Sequence, residues 1–184
     1  MREGGYKIRN QHGIYFISFA VVQWVDVFTR KCYQDIAVDS LRNCQKNKGL
    51  ILHAWVIMSN HMHLIASVQK DSRLSDILRD FKKFTSVQIL RSIENNQRES
   101  RREWMLKIFK DACKQNSRNE NFQFWRQDNH PVELVTNRMK NQRLHYLHLN
   151  PVKAGIVKRP EDYVYSSARN YCSKIGLLEI VILE

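Results

Sequence analysis

The chain has 184 residues, enough for one domain with a buried core, and 43% of them are apolar. No apolar run approaches the roughly 18 residues of a membrane helix, and the start Met1-Arg2-Glu3-Gly4-Gly5 lacks a signal-peptide core, so a cytoplasmic protein without a membrane partner is expected. Lys and Arg number 30 against 18 Asp and Glu, and a net charge of +12 is the footprint of a protein that meets a polyanion, nucleic acid first.

Residues 1–184 read as a single domain with an N-terminal arm (1–13) and a C-terminal tail (173–184). Residues 14–22 are β-branched and aromatic, apolar on both faces, and predict a central strand. Residues 33–47 have helical spacing, with Gly49 as a stop signal. Residues 50–58 and 61–68 predict two strands joined by a tight turn at Ser59-Asn60. Residues 72–95 predict a long helix capped by Ser72, with an apolar stripe of Leu74, Ile77, Leu78, Phe81 and Phe84. Its basic members Arg79, Lys82, Lys83 and Arg91 are a solvated face or phosphate contacts. A polar linker (96–103) and a helix (104–113) follow, then a polar loop (114–121). Residues 122–125 alternate and suggest a fourth strand; 135–149 predict a helix ended by Pro151. A turn and short helix (160–172) precede the β-like tail LLEIVILE, which suits an edge strand or pairing with a second copy, compatible with a homodimer. The four cysteines form no CxxC pair, so neither a zinc knuckle nor a disulfide framework is indicated. The order strand, helix, strand, strand, helix, strand predicts an α+β, ferredoxin-like (βαββαβ) antiparallel sheet with helices on one face.

Chemistry concentrates in Ile57-Met58-Ser59-Asn60-His61-Met62-His63-Leu64-Ile65. Residues two apart on a strand share a face, so His61 and His63 project together, about 6–7 Å apart at the backbone, while Met62 turns to a core. Two imidazoles can hold one metal ion, although such a triplet also arises by chance. Tyr146 and Asn150, four apart, share a helical face; as a core tyrosine and a capping asparagine they would need no chemistry.

Asn60-His61-Met62-His63-Leu64 resembles the HUH motif of single-tyrosine transposases, and residues 145–155 resemble the second signature of their REP-associated tyrosine transposase branch. Residues 124–131, 163–168 and the basic stretch 78–85 are similar to flanking motifs of that group, so the likeness spans about residues 10–175. It implies a ferredoxin-like enzyme that cuts and rejoins single-stranded DNA, with Tyr146 as nucleophile and His61, His63 and Asn150 as ligands of Mg²⁺ or Mn²⁺. It also implies a single-stranded DNA partner with a hairpin. Lys and Arg tracking the backbone and aromatics stacking bases are expected of such a groove, with Trp125 and Arg126 as candidates beside Arg79, Lys82 and Lys83; core packing is the other reading of Trp125. A non-catalytic nucleic-acid-binding module, a water-using metal hydrolase and a domesticated transposase stay open.

Overall fold

The computed structural model describes residues 8–114, 121–127 and 130–183. Strand β1 (Tyr15–Ala20) leads through two short 3₁₀ turns into α1 (Lys31–Lys48). Gly49 closes α1 at φ 73°, a left-handed position that glycine takes without a Cβ penalty. Strands β2 (Leu50–Ile57) and β3 (His61–Val68) form the expected hairpin, its turn closed by the Met58 amide donating to the His61 carbonyl at 2.8 Å. Then come α2 (Leu74–Asn95), α3 (Arg102–Lys114), β4 (Val132–Glu133), α4 (Asn137–Lys153) and α5 (Ala168–Tyr171). The sheet order is β2-β3-β1-β4 with every pairing antiparallel, and β1 lies inside it. This is the α+β, ferredoxin-like arrangement: β1 and β2 flank β3, and α1 crosses between them.

Strand alternation divides the sheet into two faces. Ile17, Phe19, Trp55, Met62 and Leu64 point to one core, shared with α1, α2 and α3. Phe16, Ala54, Val56 and Ile65 point to the other, which receives Leu147 of α4. The prediction of helices on one face therefore describes α1 and α2, and α4 adds a cover to the opposite face. Met62 is buried in the first core, as expected. His61 and His63 have the opposite parity and look toward α4.

Several elements differ from the sequence reading. Ser72 does not cap α2; its hydroxyl donates to the Lys48 carbonyl, and the α2 amide of Ser75 finds Gln11 Oε1 at 3.1 Å instead. Gln11 thus ties the described part of the N-terminal arm, residues 8–13, to the domain. Phe84 is exposed, and Thr85 takes its inward place. The fourth strand is Val132–Glu133 rather than 122–125; Trp125 makes only a bridge to Val21. Of the predicted loop 114–121, residues 115–120 lie outside the described residues.

Pro151 does not end α4. It sits in the last turn, and the helix closes after it: the Gly155 amide donates to the Val152 carbonyl and the Ile156 amide to the Pro151 carbonyl, with Gly155 at φ 71°. These two bonds form a Schellman cap, so proline is tolerated one turn from a glycine stop. The tail forms no strand; the Val181 amide donates to the Leu52 carbonyl, and residues 165–167 bond to Trp55 and Ile57, so the outer edge of β2 is covered by the chain's own segments. Among the described residues, no helix is long and apolar enough to cross a membrane.

Candidate active site

The register opposes Ser18 to His63 and Ala20 to His61. The two imidazoles have ring centroids 4.9 Å apart. Ser18, directly across from His63, brings Oγ to 2.7 Å from its Nδ1. His63 is 7% exposed, and its Nε2 is fully buried without a hydrogen-bond partner. Burial, then the charges of His61 and Arg143, push its pKa down to about 3, so it is a neutral imidazole at physiological pH. Burial lowers the pKa of His61 as well.

Asn60 determines the tautomer of His61. Its Nδ2 donates to the Trp24 carbonyl at 3.2 Å and to Asp26 Oδ1 at 3.1 Å. Both partners are acceptors, which fixes the amide orientation and leaves Oδ1, an acceptor, 2.8 Å from His61 Nδ1. His61 Nδ1 therefore carries the proton and Nε2 the lone pair. In His63 the hydroxyl of Ser18 can accept from Nδ1–H, which would give the same tautomer. Both rings are held from behind with Nε2 available for a ligand, the usual outer-shell arrangement of metal-binding histidines.

Helix α4 supplies the rest. Its Tyr146 ring lies 5.5 Å from the His63 ring and 6.0 Å from Phe16, and it is partly exposed. Asn150 donates Nδ2 to the Tyr146 carbonyl at 3.0 Å, which leaves its Oδ1 as the remaining acceptor. Arg143, Tyr146, Asn150 and Lys153 follow at spacings of three, four and three and form one stripe. Arg143 lies 5.0 Å over the Phe16 ring and Lys153 Nζ lies 6.0 Å from the Tyr146 ring centroid. His148, two residues past Tyr146, pins the helix to the sheet: Nε2 is 2.9 Å from Ser167 Oγ, which also takes the Trp55 amide at 2.9 Å. Burial first, then the charge of His145, pushes the His148 pKa down to about 4.

The structure thus brings His61, His63 and Tyr146 together within one chain, and Asn150 lies one turn after Tyr146 on the same helical stripe. Trp125 is a correction: it is 5% exposed, its Nε1 donates to Thr85 Oγ1 at 3.0 Å, and it offers no ring face to a base. Arg126 is exposed and near the site, its guanidinium 5.4 Å over the Trp24 ring. Lys82 donates to the Arg126 carbonyl at 2.8 Å. Arg79 is engaged by Asp76 at 2.9 Å and Asp80 at 3.2 Å on its own helix, and Lys83 is exposed; no contact among the described residues joins either to the histidines. Sequence reasoning missed Ser18, Arg143, Lys153, His148 and Trp24. Arg143 and Lys153 were legible from their spacing to Tyr146. Ser18 needed the strand register.

Residues 13–124 match the family described as "Transposase IS200 like", more than half of the chain. The chain belongs to the IS200-like transposase family. That span holds both histidines and stops short of α4, so Tyr146 and Asn150 stand on the geometry above. A solved structure of a REP-associated tyrosine transposase bound to a REP hairpin is similar at a TM-score of 0.65 and 18% identity, covering 100% of this chain and 94% of that one. At that identity the likeness shows a shared fold. No curated protein matches the chain in sequence.

The donor set fits a divalent metal. Two neutral imidazole nitrogens and one carboxamide oxygen are first-row transition-metal ligands that Mg²⁺ also tolerates. The buried, partnerless Nε2 of His63 is the observation that asks for one, because an orphaned buried acceptor costs about 1–3 kcal/mol.

Proposed function

We propose that this IS200-like transposase nicks and rejoins single-stranded DNA through a 5′-phosphotyrosine bond on Tyr146, as in the REP-associated branch. The observation that carries the reading is the convergence of Tyr146 on His63, 5.5 Å ring to ring, beside an imidazole nitrogen with no protein partner. His61, His63 and Asn150 would hold the metal, Mg²⁺ or Mn²⁺. When bound, such an ion neutralises and orients a phosphate.

Tyr146 supplies the nucleophile. Its Oη bonds to the scissile phosphorus and the bond to the 3′-oxygen breaks. The phenol gives its proton to water, and the leaving oxygen takes one up as a 3′-hydroxyl. The ester energy is kept in the tyrosine–phosphate bond, so a DNA 3′-hydroxyl reverses the step without ATP. Lys153 Nζ, 6.0 Å from the Tyr146 ring centroid, places a cation beside the reacting phosphate. Arg143, on the His63 side of the same stripe, meets the charge that builds on the phosphate oxygens. His148 positions α4.

The substrate is single-stranded DNA ending in or next to a hairpin; the structurally similar REP-associated transposase is bound to a REP hairpin. The net charge of +12 supports a backbone-tracking surface. The test is a denaturing gel with end-labelled single-stranded hairpin oligonucleotides, with Mg²⁺, Mn²⁺ or chelator. A metal-dependent protein–DNA band that Tyr146→Phe abolishes is expected. Cleavage that survives Tyr146→Phe without an adduct assigns a water-using nuclease. Binding with neither leaves a hairpin-binding domesticated protein.

A further inference from the structure

Trp24 is 52% exposed at the edge of the histidine site, and the proposed chemistry gives it no task. Its ring lies edge-on to His61 at 5.9 Å. Gln23 and Trp24 both hold positive φ, 51° and 56°, a left-handed conformation that bulky residues seldom adopt. Neighbouring groups hold it in place. The Asn60 amide grips the Trp24 carbonyl, and Arg101 Nη1 donates to the Asp26 carbonyl at 3.1 Å. The chain also brings Arg126 alongside: the Val22 amide donates to the Phe124 carbonyl and the Arg126 amide to the Ala20 carbonyl, so the Arg126 guanidinium lies over the indole at 5.4 Å. Asn60 thus links the indole's backbone directly to a metal-binding imidazole.

An exposed indole held rigid, flanked by a guanidinium and adjoining a phosphate-binding centre, matches the chemistry of one nucleotide. We infer that Trp24 and Arg126 form a subsite for the nucleotide next to the scissile phosphate: its base stacks on the indole and Arg126 takes the neighbouring phosphate. The subsite rests on the single-stranded DNA reading and adds a residue that reads no base identity, since every base has a π-face. It replaces Trp125, whose ring is buried, as the stacking aromatic of this site.

The test needs no knowledge of the target sequence. Full-length protein is titrated with a single-stranded oligothymidine of about 12 nucleotides and with an abasic strand of the same phosphate number, read by fluorescence anisotropy. Wild type prefers the strand with bases by about tenfold, a span typical of one stacked base. Trp24→Ala removes most of that preference, and Trp24→Phe keeps most of it. Should Trp24→Ala not fold, Trp24→Leu, which keeps apolar bulk and lacks a π-face, carries the comparison. Trp104→Ala, at the other half-exposed tryptophan, leaves the preference unchanged. A wild type that binds both strands equally, or Trp24 variants that keep the full preference, overturns the subsite. Loss of the subsite with adduct formation intact leaves the proposed function standing; a Trp24-dependent preference without any adduct does the reverse.

Discussion

Replacing Ser18 with alanine tests how the proposed metal site is held. The hydroxyl removed lies 2.7 Å from Nδ1 of a ring that is 7% exposed, so no water readily takes its place. Two losses follow. The metal-free protein loses a buried hydrogen bond and leaves Nδ1 without its partner, a destabilisation of about 1–3 kcal/mol. The ring is also no longer fixed in the tautomer and orientation that present Nε2, and removal of such an outer-shell partner weakens metal binding by about 10–100-fold. Ser67→Ala is the matched control. Ser67 Oγ lies 2.9 Å from His53 Nε2 on the same sheet and, because His53 Nδ1–H is given to the Val181 carbonyl, donates to it; it is a buried serine–histidine bond away from Tyr146. Mn²⁺ affinity is read by titration calorimetry and stability by urea unfolding in chelator. Both variants should lose comparable stability, and Ser18→Ala alone should lose Mn²⁺ affinity. An unchanged Mn²⁺ affinity in Ser18→Ala, or an equal loss in Ser67→Ala, refutes the assignment of Ser18 as the support of His63.

Arg143→Ala should slow single-turnover adduct formation by about 10²-fold at saturating DNA, because one cation facing a developing oxyanion is worth that much, with Arg143→Lys intermediate; an unchanged rate removes it from the mechanism. Stability of the metal-free protein should fall on acidification. His63 and His148 have folded pKa values of about 3 and 4 against about 6.5 unfolded, so between these values the unfolded chain binds more protons, and each histidine withdraws up to about 1.4 kcal/mol per pH unit below 6.5. Urea midpoints in chelator should therefore drop from pH 7.5 to pH 5, and His148→Gln should flatten the slope; a flat or rising profile contradicts the burial of neutral rings. Glu99 is buried between Arg30 at 3.2 Å and Arg101 at 3.1 Å. Burial works to raise its pKa, and the bonds from Arg101 and Arg30 outweigh that and hold it below the usual range. Glu99→Gln should cost about 2–3 kcal/mol in urea unfolding, and a loss within the scatter of the method would show the pairing to be cosmetic.

Much of the sheet was legible because its strands obey a simple period. The His-Met-His triplet alternates cleanly, so the parity that buries Met62 and turns both histidines to one face follows from sequence alone. What sequence missed was set by long-range partners. Val132–Glu133 is too short to carry a periodic signal and is a strand only because β1 offers an edge. Trp125 looked like a stacking aromatic by type and neighbourhood, yet Thr85 and Phe28 enclose it. Pro151 read as a stop, because its penalty is local while the cap at Gly155 that accommodates it lies four residues on. Asn60 read as a turn residue, and its amide bonds to the Trp24 carbonyl and Asp26 need a loop from 34–36 residues earlier. The β-like tail found its partner in Leu52 of its own chain.

On the proposed mechanism, Tyr146 becomes covalently bound to DNA. Trypsin cuts after Arg143 and after Lys153, releasing a peptide of residues 144–153 that holds Tyr146 as its one tyrosine. Protein incubated with hairpin oligonucleotide and Mn²⁺, then digested with nuclease and trypsin, should yield that peptide carrying a nucleotide 5′-phosphate on the tyrosine oxygen by tandem mass spectrometry. Chelator and Tyr146→Phe should each abolish it. Cut DNA bearing a free 5′-phosphate with an unmodified 144–153 peptide, or a nucleotide found on another residue, would contradict the account.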